Sequence, residues 1–175
     1  MRKIATGFLT LLVSLSAFAQ GSIPILDRVP GHRVTFHYSY SLSKGGGPMT
    51  KVTDGEVTVE DNAFLLSGLG LEIRSDGTTR WSIDREAEEV LIEKVEKDDL
   101  VSNPALFIGH YKAYMDRIKV NSSSSDSLDV TLSLDEDTSA RFVLTGIRLQ
   151  DRKGKSDFPL DEKSLSKSYV ITDLR

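Results

Sequence analysis

The chain has no cysteine, three histidines and one tryptophan among its 175 residues. Without thiols there is no disulfide framework and no thiolate nucleophile or metal ligand, so stability has to come from an apolar core. His32, His37 and His110 share no spacing suited to a single metal ion. No Gly-x-Ser-x-Gly elbow occurs, and acidic pairs such as Asp98-Asp99 stand in polar segments where nothing would raise a carboxyl pKa to a general-acid value. A basic cluster is also missing: 22 Lys plus Arg face 26 Asp plus Glu, for a net charge of −4. Nucleic acid, which is bound by neutralising phosphates, is therefore a poor partner, and so is an anionic membrane surface. The expectation is a non-enzyme with no cofactor and no metal.

Long apolar runs are missing everywhere except at the start. Met1-Arg2-Lys3, an apolar stretch from Ile4 to Leu15 and the small-x-small triplet Ala17-Phe18-Ala19 form a charged, apolar and cleavable series too short to span a bilayer. Residues 1–19 are expected to be a signal peptide and residues 20–175 a single exported domain. Removing Arg2 and Lys3 leaves 20 basic against 26 acidic residues, a net charge of −6. With no cysteine after the apolar stretch, the processed chain would not itself be acylated.

The rest of the chain alternates. Pro24 and Pro30 confine the segment from Ile23 to Val29 to about two helical turns. From Arg33 the period is two, with Val34, Phe36, Tyr38, Tyr40 and Leu42 on one face and Thr35, His37, Ser39 and Ser41 on the other. Three glycines and a proline between Lys44 and Pro48 make a loop, without the Gly-Lys-Ser/Thr that a phosphate cradle needs. Val57 and Val59, then Phe64, Leu66, Leu71 and Ile73, continue the apolar face. Asp76-Gly77, between two alternating runs, is a strong hairpin signal because glycine takes positive φ without strain. Trp81 and Ile83 follow on a common face, then Val90 to Ile92. Asn121 to Ser127 is too polar to pack and reads as an exposed connection. Leu128 to Leu134, Arg141 to Leu149 (with Gly146 as a bulge) and Tyr169 to Ile171 complete nine or ten short strands, the pattern of a sandwich or barrel.

Between the strands stands one helix of unusual composition. Asn103 fits its N-cap and Pro104 its first turn. Ala105, Leu106, Phe107, Ile108, Tyr111, Ala113, Tyr114 and Met115 leave almost no polar face, so the helix has to be covered on several sides. On a β-sheet it is either a plug in the mouth of a curved sheet or a lid over an apolar cavity. Periodicity does not separate a filled interior from an open one.

The order and spacing of these stretches resemble a known family. Ser75-Asp76-Gly77-Thr78-Thr79-Arg80-Trp81, Glu89-Val90 with Ile92, Asp99-Leu100 with Asn103-Pro104, Tyr111-Lys112-Ala113-Tyr114 and the closing Tyr169 to Arg175 are similar to motifs of the LolA-like outer-membrane lipoprotein carriers. The resemblance implies a mainly β fold, an incomplete (unclosed) antiparallel β-barrel with a helical lid. It implies a periplasmic, monomeric carrier that shields lipoprotein acyl chains between an inner-membrane releasing transporter and an outer-membrane receptor. A half-barrel that senses mislocalised lipoprotein or envelope stress is the alternative. The expected apolar cavity comprises Phe36, Tyr38, Tyr40, Val57, Leu66, Leu71, Ile73, Trp81 and Ile83, and the expected lid Leu106, Phe107, Ile108 and Tyr111. Arg33 lies beside the first strand, but no arginine is assigned the family's lid-holding role.

Overall fold

A computed structural model describes residues 22–68, 70–96, 103–152, 154 and 157–175. The expected signal peptide and the Asp98-Asp99-Leu100 stretch lie outside the described residues. Helix α1 (Pro24–Asp27) is a single turn that begins at Pro24 and stops short of Pro30, less than the two turns the sequence allows. Ten strands follow among the described residues: β1 (His32–Lys44), β2 (Thr50–Glu60), β3 (Ala63–Gly68), β4 (Leu71–Ser75), β5 (Thr79–Asp84), β6 (Glu89–Lys94), β7 (Ile118–Ser123), β8 (Leu128–Ser133), β9 (Thr138–Asp151) and β10 (Val170–Asp173). Helix α2 (Pro104–His110) stands between β6 and β7 and runs into a 3₁₀ segment, Tyr111–Arg117.

All ten strands form one sheet in the order β10-β6-β5-β4-β3-β2-β1-β9-β8-β7. The sheet does not close, since β10 and β7 are its two edges. The fold is thus mainly β, an unclosed barrel with a helix on one face. Every neighbouring pair is antiparallel except β10, which runs parallel to β6 because the chain crosses over before returning to the edge.

Turn chemistry agrees with the sequence at the hairpins. Asp76 Oδ1 accepts from the backbone N–H groups of Thr78 and Thr79 at 2.8 and 2.7 Å, and Gly77 takes φ of 90°. Gly146 (φ 63°) sits where the β1–β9 register slips, so it is the expected bulge. Two expectations need correction. The α-helix ends at His110 instead of continuing to Met115, and tightens there into the 3₁₀ segment. The serine-rich stretch is not all connection: Asn121 to Ser123 belong to β7, where the Asn121 amide donates to Asp129 and Thr131 across the hairpin.

The buried side of the sheet changes along its width. Directly paired residues share a face, and one such row runs Phe36, Val57, Leu66, Ile73, Ser82 and Leu91. Over β1 to β3, β8 and β9 this face is the main core, covered by α1 and α2. At β5 and β6 the apolar residues belong to the opposite face. Trp81 pairs with Arg74 and Ile92, and Ile83 with Glu72 and Val90. Trp81, Ile83, Val90 and Ile92 form a second core under Leu160, Leu165 and Tyr169 of the C-terminal segment. That segment is anchored on the same face by the Trp81 Nε1 to Glu162 bond (3.1 Å) and the Arg33–Asp157 ion pair (3.0 Å), beside buried Phe158.

Candidate functional site

Helix α2 is positioned by its first residues. Asn103 Oδ1 accepts from Leu106 N at 3.0 Å, satisfying one of the N–H groups a helix start leaves unpaired, and Pro104 supplies a helical φ with no N–H to satisfy. The phase this sets turns Ala105, Phe107 and Ile108 into the sheet and leaves Gly109 and His110 exposed. Phe107 stacks on Phe142 of β9 at 5.7 Å, and Phe142 stacks on Tyr40 of β1 at 5.0 Å. The helix and sheet enclose a cavity of about 30 Å³ lined by Phe36, Tyr38, Val57, Leu66, Pro104, Phe107, Ile108, Phe142 and Leu144. Sites for drug-sized ligands hold several hundred Å³. The trough is therefore occupied by the helix itself.

A polar clasp holds this arrangement shut at the far end of the helix. The Tyr111 hydroxyl donates to Asp27 Oδ1 at 2.7 Å and accepts from the backbone N–H of Ile23 at 3.1 Å. Lys112 Nζ stands 2.7 Å from the same carboxylate oxygen, and Ser22 Oγ donates to Oδ2 at 2.5 Å. Lys112 is the largest of the influences that hold the Asp27 carboxyl far below the usual carboxylate range. Burial pushes the Tyr111 phenol up. α1 is thereby tied to the 3₁₀ segment that continues α2, over a sequence separation of 84 residues. His110, from the last turn of α2, is 3.2 Å from Asn62 Oδ1 in the β2–β3 turn.

The expected site residues separate into groups. Phe36, Tyr38, Val57, Leu66, Phe107 and Ile108 come together around the cavity. Tyr40 and Ile73 pack in the same core beside it. Leu71 shares the face but lies outside the lid, in an open groove of about 340 Å³ with Ser82, Leu91 and Val170. Leu106 packs, partly buried, against the main core and also lines a groove with Asn62 and Val95. Tyr111 serves the clasp. Trp81 and Ile83 are corrected: they occupy the other face of the sheet and cannot line the trough. Phe142 and Leu144 were not foreseen as lining residues, although their alternation in β9 and their pairing with Tyr40 and Tyr38 put them there. The Asp27–Tyr111 clasp left no signal in the sequence.

Among the described residues no group of His, Asp and Glu is arranged to hold a metal ion. Nor is any described helix long and apolar enough to cross a membrane. The arrangement is an apolar trough filled by an apolar helix.

No protein-family model matches the chain, and no curated protein matches it in sequence. Among solved structures it is similar to the crystal structure of an uncharacterised conserved protein from Thermus thermophilus, with 9% identity and a TM-score of 0.44 over 85% of this chain and 96% of that one.

Proposed function

We propose that this protein is a periplasmic carrier that shields the acyl chains of lipoproteins, or of a comparable acylated ligand, on their way from the inner to the outer membrane. The observation that carries the proposal is the seating of α2. An apolar helix only seven residues long fills an apolar trough on an open sheet, and the cavity beside it has no charged lining residue. An isolated helix of this length has no stability of its own, so it is ordered by what it covers. An acyl chain contributes about 0.8 kcal/mol per buried CH₂ and needs a large apolar surface with no reactive group. In this mechanism α2 leaves the trough, the chain enters, and the side chains of Phe36, Val57, Leu66 and Phe142 exchange one apolar partner for another. Delivery is the reverse exchange, with α2 returning as the acyl chain passes to a receptor.

Native mass spectrometry of the protein isolated from its own cell envelope tests the proposal. The expected spectrum contains complexes heavier than the bare chain by the mass of a lipoprotein or lipid, which disappear when the trough is blocked by Val57→Trp. A bare chain in every gently prepared sample refutes it.

A further inference from the structure

Resting on the carrier reading, we infer that Tyr38 sets the register of the bound acyl group by donating its hydroxyl to the ester or amide carbonyl at the head of the chain. Of the nine side chains around the cavity, Tyr38 carries the only hydroxyl; the others are hydrocarbon. Its position is built by two glycines that β-propensity alone would disfavour. Gly55 in β2 and Gly68 in β3 are directly paired, and both lie in the row that contains Tyr38. A Cβ on Gly55 would stand 1.7 Å from Ser67 O and 3.0 Å from Tyr38 Cε1, and one on Gly68 would stand 2.8 Å from the Tyr38 hydroxyl. Glycine inside a strand marks a place where something approaches the backbone closely: at Gly68 it is the Tyr38 hydroxyl, and at Gly55 it is the Ser67 carbonyl, with the edge of the Tyr38 ring next. The ring leans from β1 across β2 to β3, and its hydroxyl reaches the neighbourhood of Asp54 O and Thr53 Oγ1 around Gly68.

The cavity therefore has two unlike ends across the strands. On the β9 side stand Phe142 and Leu144, with Phe107 stacked on Phe142. On the β3 side stands half-buried Tyr38, whose phenol is pushed up by burial and so keeps its proton at neutral pH, with its oxygen hydrogen-bonded to Thr53. Tyr40, two residues along the same strand face, does not line the cavity and is stacked on Phe142 instead. An amphiphile with a carbonyl at its polar–apolar junction fits this polarity in one direction, with its tail toward Phe142 and its carbonyl at Tyr38. The feature recognised is the acyl linkage, and a bare alkyl chain lacks it.

The test uses the full chain and two lipids, 1-palmitoylglycerol and its 1-hexadecyl ether analogue, which lacks the carbonyl. Affinities are read by displacement of a fluorescent apolar probe from wild type and from Tyr38→Phe. A hydrogen bond between neutral groups corresponds to about a three- to ten-fold change in affinity. Wild type is expected to prefer the ester by about that factor, and Tyr38→Phe to lose the preference by weakening the ester alone. Unchanged ether binding shows that the variant is folded and its trough intact. If wild type binds both lipids equally, or Tyr38→Phe weakens both alike, the role of Tyr38 is overturned while the carrier reading stands. If wild type binds neither lipid, both are overturned.

Discussion

Tyr111→Phe separates a lid from an ordinary piece of core. The ring of Tyr111 is 3% exposed and is not among the residues lining the cavity, so the substitution leaves both the packing and the ligand surface in place. It removes one oxygen. The N–H of Ile23, a residue 1% exposed, then loses its acceptor, and leaving a buried donor unpaired costs about 2 kcal/mol. The bond to Asp27 goes as well, although Lys112 and Ser22 still hold that carboxylate. For a domain of this size a loss of about 2 kcal/mol lowers Tm by roughly 4–8 °C. If α2 must undock before an acyl chain enters, the same change raises the population of the open form, and apparent affinity improves in proportion. At 1.4 kcal/mol per factor of ten, the gain reaches about 30-fold when the whole cost falls on lid docking. Thermal unfolding and acyl-lipid titration of the same preparation give both numbers. Opposite signs, lower Tm with tighter binding, are the expected outcome. A variant that loses stability while its affinity stays level or drops shows that Tyr111 only supports the core and that the clasp does not gate the trough.

Two other outcomes follow from the geometry. Because the folded-state pKa of Asp27 is depressed, its contribution is present above the unfolded carboxylate value near 4 and fades as pH falls through the folded one. Because the Tyr111 phenol is raised, its contribution is complete below about pH 10 and fades as pH rises through the folded value. The difference in urea midpoint between wild type and Asp27→Asn should thus be flat from about pH 5 to 9 and shrink below about pH 4; a midpoint difference that varies across neutral pH contradicts the clasp as described. Trp81, the single tryptophan, faces the C-terminal segment. Its emission should hold steady when lipid fills the trough and shift to the red in Glu162→Ala, which removes the partner of its Nε1; a lipid-dependent shift in wild type would place the ligand on the other face.

Strand existence was legible because alternation reports a half-buried sheet directly. Phe36, Val57 and Leu66 could be assigned to one face from period alone. The switch of face at β5 was also within reach. A hairpin with an even number of turn residues pairs odd positions with even ones. Both a two-residue Asp76-Gly77 turn and the observed Ser75–Arg80 pairing therefore put Trp81 opposite Arg74 or Glu72, away from Ile73. Hydrophobicity pointed the other way, since a lone tryptophan next to an apolar run invites assignment to the same core. What resolves the conflict is the C-terminal segment, which gives the second face its own cover. Neither this cover nor the parallel pairing of β10 with β6 could be read locally, because both depend on contacts across most of the chain. The clasp has the same character, joining residues that are adjacent only after folding.

A filled trough is what a carrier of this design requires between loads, and the energies make the exchange feasible. Phe107 and Ile108, 4% and 2% exposed, are the large side chains that α2 commits to the trough. Burial of each contributes about 1.5–3 kcal/mol, so docking of the helix rests on roughly 3–6 kcal/mol of apolar burial. At about 0.8 kcal/mol per methylene, an entering chain matches this with some four to eight buried carbons. On the carrier proposal, shorter chains would lose the competition with the helix. A chain of lipoprotein length would exceed it and hold the helix out, and a receptor would have to offer apolar surface of its own to take the chain over. An open cavity would fill with water or with any passing hydrocarbon; one occupied by the protein's own helix admits only a ligand with more apolar surface to bury than the helix has.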